Sequence, residues 1–238
     1  MFWDTTYILV LIGAVITMAA SGKLKSTYAK YAGVRAACGL TGKDVAVRIL
    51  RANGIYDVSV GHVSGSLTDH YDPANKIVNL SDDIYSSTSV AALGVAAHEC
   101  GHAIQDNIAY APLRFRTSLV PIVNLGSKLS WPLIIAGILL GSMSRGAGNL
   151  SYTLLQIGIF AFALVVLFQL VTLPVEYNAS DRALDQLHSL ALLDSNEESA
   201  ARKVLKAAAL TYVASAASGL LQLLRLILLF GGNRNKRN

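Results

Sequence analysis

The chain has 238 residues, of which 53% are apolar and 15% are charged, and its mean hydropathy is positive. This composition excludes an ordinary soluble globular domain, which is less apolar and carries more charge. The formal net charge is +5, but no basic stripe with interleaved aromatic side chains occurs in the sequence. We therefore expect no nucleic-acid partner.

The apolar residues form four blocks that are long enough, with their flanks, for the roughly 20 residues of a helical bilayer crossing. The predicted spans are centred on residues 7–20, 120–143, 152–173 and 207–230. Basic residues follow the first block instead of preceding it, which favours a retained anchor over a secretory signal. The sequence thus predicts a mainly α membrane protein with about four transmembrane helices in the lipid bilayer.

The distribution of basic residues predicts the orientation of these spans. Four crossings put residues 21–119 and 174–206 on one side of the membrane, and lysines and arginines near the spans are more numerous on that side. The other side carries Arg145, Arg234, Lys236 and Arg237. The positive-inside rule then assigns the first side to the cytoplasm. The two cysteines, Cys38 and Cys100, agree with a reducing compartment.

Between the first two spans, the sequence predicts short strands at residues 57–60 and 76–80, separated by turn-like segments. The segment "DHYDP" (69–73) collects two aspartates, a histidine and a tyrosine. These side chains could assist catalysis or hold a second metal ion. A hydrogen-bonded turn that ends at Pro73 is the favoured interpretation.

The stretch "AAHECGHAIQ" (96–105) contains an H-E-x-x-H motif, although the chain has only five histidines and four glutamates. The chance of such a motif arising at random is on the order of one in several hundred, so the match is fairly specific. His98 and His102 lie one above the other on a helix and can bind one ion. Glu99 can reach a water molecule on that ion, whose pKa zinc lowers to about 7. A zinc site is favoured over a pair of buried, hydrogen-bonded histidines.

The residues around this motif favour a helix. Serines and threonines at 86–89 offer an N-cap, and the small apolar residues that follow include no proline. Gly101 either permits a close approach of backbone or substrate, or is simply tolerated in a packed helix. Cys100 points to another helix face than the histidines and is interpreted as a packing residue.

A zinc site of this type needs one further protein ligand. Downstream, Glu197 and Glu198 lie in a polar, surface-like stretch. Glu176 follows the third span directly and is predicted to lie on the same side of the membrane as the motif. A charge at the membrane surface is the simpler explanation for Glu176, but the third-ligand role is favoured.

Two segments resemble a known family. "LTDHYDPANKIVNLSDDIYSSTSVAALGVAAHECGHAIQ" (67–105), followed after two spans by "EYNASDRAL" (176–184), resembles the YugP-type membrane zinc metallopeptidases, and the layout is similar to that of HtpX and CAAX prenyl membrane peptidases. The resemblance implies one zinc ion per chain with His98, His102 and Glu176 as ligands. It also implies that Glu99 is the general base for hydrolysing peptide bonds in peptide or protein substrates, membrane proteins included.

This resemblance completes the predicted organisation. Together with the apolar blocks, it gives a first transmembrane helix (1–22), a cytoplasmic zinc-peptidase region (23–119), two further spans (120–173), a third-ligand helix (174–206), and a fourth span with a basic tail (207–238). The cytoplasmic part is expected to be a small α+β zincin-like, gluzincin-like domain. Its strand Lys76–Leu80 is the expected edge that pairs with an extended substrate.

The sequence departs from the HtpX-like pattern beside the third ligand. That pattern has an aspartate four residues after the glutamate, where this chain has Ser180, with Asp181 next. Ser180 shares the helix face of Glu176, and Ser180, Asp181 or a backbone carbonyl could accept a hydrogen bond from a ligand histidine. The candidates for stabilising the oxyanion of the transition state are Tyr177, Arg182, His188 and His70.

Two other functions are compatible with a membrane protein of this kind. A structural or regulatory zinc-binding protein would keep the helix without hydrolysing anything, but the chain retains both Glu99 and a third ligand, which favours the enzyme. A transporter with histidines along its path is disfavoured, because the predicted spans carry few ionisable residues besides Lys128 and Arg225. The sequence leaves the oligomeric state and the physiological substrate open.

Overall fold

The computed structural model describes residues 4–143 and 148–231. These contain seven helices: α1 (Tyr7–Ala32), α2 (Gly42–Ala52), α3 (Asp82–Tyr85), α4 (Val90–Asn107), α5 (Ala111–Met143), α6 (Gly148–Ser189) and α7 (Ser195–Phe230). They also contain three strands: β1 (Ser59–Val63), β2 (His70–Asp72) and β3 (Ile77–Ser81). The residues Arg145, Arg234, Lys236 and Arg237 used for the predicted orientation lie outside the described residues.

Four of the helices are long and apolar enough to cross a membrane, namely α1, α5, α6 and α7. The chain is therefore a mainly α membrane protein with a small sheet, and the predicted fold class is confirmed. The helices extend beyond the predicted spans. α6 continues through Pro174 to Ser189, so the third span and the Glu176 segment form one helix. Pro174 removes a backbone hydrogen bond without ending the helix, as is tolerated in membrane helices.

The chain divides into two compact units, of which the first comprises Met1–Ala19, Phe115–Thr172 and Tyr212–Asn238. Its described residues form long helices and include no strand. A Cβ atom at Gly158 would lie 2.9 Å from the carbonyl oxygen of Ser130. Glycine thus lets the backbones of α5 and α6 approach closely, which is the usual way in which apolar helices pack in a membrane.

The second unit comprises Ala20–Arg114 and Leu173–Thr211, and it contains the sheet and α4. α2 begins with a capping box, in which Thr41 Oγ1 accepts from the backbone N–H of Asp44 and the Asp44 carboxylate accepts from the backbone N–H of Thr41. Its apolar face packs against α4 and the sheet. The largest core side chains are Ile49, Leu50, Leu80, Ile84, Leu93, Leu187 and Leu192, all fully buried.

The sheet has the strand order β1-β3-β2, in which β3 is parallel to β1 and antiparallel to β2. The prediction that Lys76–Leu80 is a free edge is therefore wrong, because this segment pairs on both sides. The prediction of a turn at 69–73 is also wrong in part, since His70–Asp72 form β2. The turn follows the strand, where the Asp72 carboxylate accepts hydrogen bonds from the backbone N–H groups of Ala74 and Asn75.

Polar contacts attach the sheet to the C-terminal end of α4. The hydroxyl of Tyr71 in β2 donates to the Asp106 carboxylate at 2.9 Å, and the ammonium of Lys76 donates to the same oxygen at 2.7 Å. Partial burial raises the pKa of Asp106, but these two hydrogen bonds and the nearby charges of Lys76 and Arg114 together lower it by more, so the group is a carboxylate at neutral pH. β2 is thus fixed beside the helix that carries the H-E-x-x-H motif.

At Gly101 the backbones of α4 and α6 approach each other closely. A Cβ atom at this position would overlap the carbonyl oxygen of Ala179 and would lie 3.1 Å from the Ala179 Cα atom. Of the two interpretations of Gly101, the structure supports the close backbone approach. Only glycine lets the two helices lie this near to each other here.

We predict that Gly101→Ala destabilises the protein, because the methyl group meets backbone atoms that can move only if the helices separate. Overpacking of this kind costs on the order of 1–3 kcal/mol, so the Tm in detergent should fall by several degrees.

Gly94→Ala is the matched control on the same helix. A Cβ atom at Gly94 would lie 3.4 Å from the Ala201 Cβ atom, an ordinary contact, and alanine has the higher helix propensity. The control should keep or raise the Tm. Equal Tm values for the two variants would contradict the importance of the approach at Gly101.

Candidate metal centre

The H-E-x-x-H motif lies in the second half of α4, as predicted. Ser89 is the N-cap residue, and its side chain accepts a hydrogen bond from the backbone N–H of Ala92 at 3.2 Å. Most of the helix is buried. Glu99 is 8% exposed and His102 is 9% exposed. The helix therefore presents its polar motif inside the protein, where polar groups need partners.

α6 brings Glu176 to the two histidines. The Glu176 side chain is buried, with 2% exposure. Its Oε2 atom lies 3.3 Å from His98 Nε2 and 3.5 Å from His102 Nε2. The two imidazole rings stand nearly perpendicular, at 85° with centroids 4.8 Å apart. The three residues predicted from the sequence thus lie together in the structure. Glu176 joins the histidines although it lies 74 positions after His102 in the sequence.

The donor set fits zinc in both chemistry and spacing. Two imidazole nitrogens and one carboxylate oxygen are common ligands of catalytic zinc. Two ligand atoms of a tetrahedral zinc ion with bonds of about 2.0–2.1 Å are about 3.3 Å apart, and the two nitrogen–oxygen distances are close to this value. The three ligand atoms all lie within 4.8 Å of one another. Within the described residues, no other group of three His, Cys, Asp or Glu side chains has this arrangement.

A hydrogen-bond network fixes the orientation of His102. The Nε2 amide of the fully buried Gln105 donates to the carbonyl oxygen of Val175 at 2.8 Å and to Asn178 Oδ1 at 3.0 Å. The amide oxygen of Gln105 is then free to accept a hydrogen bond from His102 Nδ1, which lies 3.1 Å away. A proton on Nδ1 leaves the lone pair of Nε2 directed at Glu176, which is the tautomer that a metal ligand needs.

Ser180 has the corresponding position beside His98. Its Oγ atom lies 3.1 Å from His98 Nδ1. When Nδ1 carries the proton, it donates to the hydroxyl oxygen, and Nε2 is again left for a metal ion. Of the acceptors considered from the sequence, the structure brings Ser180 to the histidine. Asp181 is exposed, because it is one residue further around α6.

The electrostatics of the three side chains also suit a cation. Burial lowers the pKa of His102, but interactions with Glu176, Glu99 and Gln105, those with Glu176 largest, together raise it by more, so the net direction is upward. The buried carboxylate therefore favours positive charge at the neighbouring nitrogens. A divalent cation supplies that charge without protonating either imidazole.

Cys100 is not part of this group. The residue is fully buried and its thiol donates to the carbonyl oxygen of Ala46 at 3.6 Å. Burial raises the pKa of the Cys100 thiol well above its ordinary value. It packs in the core between α4 and α2, which confirms the interpretation of Cys100 as a packing residue.

Tyr177 and Arg182, two candidates for stabilising the oxyanion, lie on α6 but are not among the metal-ligand group. Tyr177 is 47% exposed. Arg182 donates from Nε to Asn178 Oδ1 at 2.8 Å, and its guanidinium lies over the Tyr110 ring at 6.0 Å from the centroid. Arg182 is therefore connected to His102 indirectly, through Asn178 and Gln105.

His70 and His188, the two histidines considered as oxyanion stabilisers, form hydrogen bonds away from the metal centre. His70 is exposed on β2, with Nδ1 at 2.9 Å from the Thr68 carbonyl oxygen and Nε2 at 3.1 Å from Asn79 Nδ2. His188 is exposed near the end of α6 and lies 2.8 Å from the Glu198 carboxylate. Neither hydrogen-bond set includes a residue of the metal centre.

Sequence reasoning missed Gln105 and Asn178. Gln105 lies three residues after His102, a spacing that brings side chains together on a helix, so its position was a usable signal. Asn178 lies two residues after Glu176, and only the packing of α6 on α4 shows that it faces Gln105.

Comparison with known proteins agrees with this geometry. A family model described as "Putative neutral zinc metallopeptidase" matches residues 6–231. The chain belongs to this family of zinc metallopeptidases. The "Putative membrane protease YugP" of Bacillus subtilis (strain 168) is 45% identical to it over 214 residues, which cover 90% of this chain and 91% of that protein. No solved structure matches the chain. The resemblance seen in the sequence is confirmed, and the family implies a zinc cofactor. His98, His102 and Glu176 form a group that could hold a metal ion.

We predict that Ser180→Ala weakens zinc binding, because His98 then loses the acceptor that fixes its tautomer and ring orientation. Loss of such a supporting hydrogen bond typically lowers metal affinity 10- to 100-fold. Chelator competition on the detergent-purified protein measures this change. Asp181→Ala, one residue along the same helix, is the control and should bind zinc like the wild type. A Ser180→Ala protein with wild-type affinity would show that the hydroxyl does not orient the ligand.

Proposed function

We propose that this protein is an integral-membrane endopeptidase that uses one zinc ion per chain to hydrolyse peptide bonds. The convergence of His98, His102 and Glu176 in one buried group with zinc-like spacing is the observation that carries the proposal. Membership of a zinc metallopeptidase family supports it. In this proposal the site is of the gluzincin-like type, with two motif histidines and a glutamate from another helix.

A bound zinc ion supplies a Lewis acid that lowers the pKa of water to about 7. His98 and His102 would hold the ion through Nε2, while Ser180 and Gln105 orient the rings through Nδ1. Glu176 would contribute the third protein ligand and a negative charge to balance that of the ion.

Glu99 is the general base in this mechanism. It follows His98 directly on α4 and is 8% exposed, so its carboxylate lies in surroundings with little water. Glu99 accepts the proton of the attacking water and later donates it to the leaving amine, so a single carboxylate serves both halves of the reaction.

The substrate is a peptide or protein in extended conformation, membrane proteins included. An extended peptide can add to the free edge of a sheet. Because β3 is paired on both sides, β2 is the edge strand that lies beside α4, where Tyr71 is bonded to Asp106. We therefore propose that an extended substrate pairs with the outer edge of His70–Asp72 and not with Lys76–Leu80.

The proposed location is a multi-pass cell membrane with the active site on the cytoplasmic side. The four apolar helices and the resemblance to a membrane protease support a membrane protein. The excess of lysine and arginine in residues 21–119 and 174–206 supports the cytoplasmic orientation of the second unit.

We predict that Glu176→Ala loses most of its zinc, because the two histidines alone do not complete a three-ligand site. Metal analysis of the detergent-purified protein should give about one zinc ion per wild-type chain and a clear loss in the variant. Glu198→Ala is the control, since Glu198 binds the exposed His188 instead, and it should retain the metal. Full zinc retention in Glu176→Ala would require a different third ligand.

We predict that Glu99→Gln retains zinc but hydrolyses an unfolded protein substrate at least 100-fold more slowly, since general-base catalysis contributes on the order of 10²–10⁴-fold. The amide has nearly the same shape as the carboxylate but cannot accept the proton of water. Time courses of cleavage at equal zinc content measure the effect. Cleavage at the wild-type rate would refute the proposed base, and a zinc-loaded wild type without any hydrolysis would favour a non-catalytic zinc protein.

A further inference from the structure

The second unit contains a cavity that does not include any residue of the metal centre. Residues of α1 and α7 line this open groove, which has a volume of about 650 Å³. Its lining consists of Lys23, Ser26, Thr27, Lys30, Tyr31, Lys203, Lys206, Ala207 and Leu210. The zinc chemistry makes no use of these side chains, so the cavity needs an explanation of its own.

Four lysines give this cavity a concentrated positive charge. Lys23 and Lys30 come from α1, and Lys203 and Lys206 come from α7. In the part of the chain that the structure describes, none of the four forms an ion pair with a carboxylate. Ammonium groups that share one concave surface repel each other. An anion bound among them would remove that repulsion.

The remaining lining residues suit a phosphate that is joined to an apolar group. The hydroxyls of Thr27 and Tyr31 can donate hydrogen bonds to phosphate oxygens, and lysine ammonium groups bind phosphate as point charges. Ala207 and Leu210 add apolar surface to the same cavity. A free inorganic anion would make no use of that apolar surface, whereas an acyl chain would cover it.

The position of the cavity along both helices matches the membrane surface. Lys23 is the first charged residue after the apolar run at 7–22 of α1, and Lys206 is the last one before the apolar run at 207–224 of α7. Both runs belong to helices that are apolar enough to cross a membrane. The lysines therefore lie at the level where the head groups of phospholipids are found.

We propose that this cavity binds the head group of an anionic phospholipid, with the phosphate among Lys23, Lys30, Lys203 and Lys206 and an acyl chain against Ala207 and Leu210. The lipid fills a groove between the first and the last long helix of the chain and is a structural ligand of the membrane protein. Basic cavities between membrane helices are a known form of lipid head-group site.

The test compares two double variants that remove the same charge from the same two helices. Lys23→Gln with Lys206→Gln removes two lysines that line the cavity. Lys25→Gln with Arg202→Gln removes two exposed basic residues that do not line it. The full-length proteins are reconstituted with vesicles of phosphatidylcholine that contain a small fraction of phosphatidylglycerol, and the bound lipid is quantified after purification in mild detergent. Binding of inorganic phosphate to the same proteins in detergent is measured in parallel.

We expect the wild type and the Lys25/Arg202 variant to retain phosphatidylglycerol and the Lys23/Lys206 variant to retain it about tenfold less strongly. Equal retention by the two variants would overturn the proposal, because the attraction would then depend on net charge alone. Wild-type protein that retains no phosphatidylglycerol over phosphatidylcholine would also overturn it. Binding of inorganic phosphate with the affinity of the lipid would overturn the lipid assignment in favour of a soluble anion. Zinc content serves as the check that each variant is folded.

Discussion

The close approach of α4 and α6 at Gly101 is the constraint on which the metal centre depends. Because Gly101 has no side chain, the carbonyl oxygen of Ala179 can lie against α4. Ala179 is flanked on α6 by Glu176 one turn earlier and by Ser180 directly after it. This one backbone contact thus positions both Glu176, the third ligand, and Ser180, which orients His98. A larger residue at position 101 would separate all of these atoms together.

Burial of the polar side chains determines which hydrogen-bond partners they have in this site. Glu176 and Gln105 are almost completely removed from solvent, and buried polar groups are costly unless they are paired. Gln105 satisfies this requirement by bonding to Val175, Asn178 and His102 at once. The same bonds determine which way its amide points, and hence which nitrogen of His102 faces Glu176. These hydrogen bonds therefore satisfy the buried polar groups and also hold the ligand side chains in position for a metal ion.

Of the two helices that form the site, α6 is continuous with an apolar segment. α6 runs from Gly148 to Ser189, so the carboxylate of Glu176 is carried by the same helix as the apolar residues 152–173. A ligand on a long, hydrogen-bonded helix is held more precisely than one on a loop. The chain therefore needs no separate third-ligand segment, and Pro174 only interrupts the hydrogen-bond pattern locally.

Several features followed from the sequence because their causes are local. The apolar blocks predicted the long helices, since bilayer thickness determines the length of a span. The H-E-x-x-H spacing predicted that His98 and His102 share a face of α4, since helical periodicity alone brings them together. Glu176 was identified from its place after an apolar block and from the family resemblance, and Ser180 from its place one turn later on the same helix.

Only the tertiary structure decided the features that depend on contacts between distant segments. Strand order is one of them, because periodicity shows that residues 76–80 form a strand but does not show whether it has one neighbour or two. The roles of Gln105 and Asn178 are another, because the hydrogen bonds of Gln105 join α4 to α6 across 70 and 73 positions of sequence. The lysine-lined cavity is a third, because it exists only where α1 and α7 meet. The sequence by itself determined which residues could bind zinc, and the packing of α6 on α4 determined that their ligand atoms lie at one point.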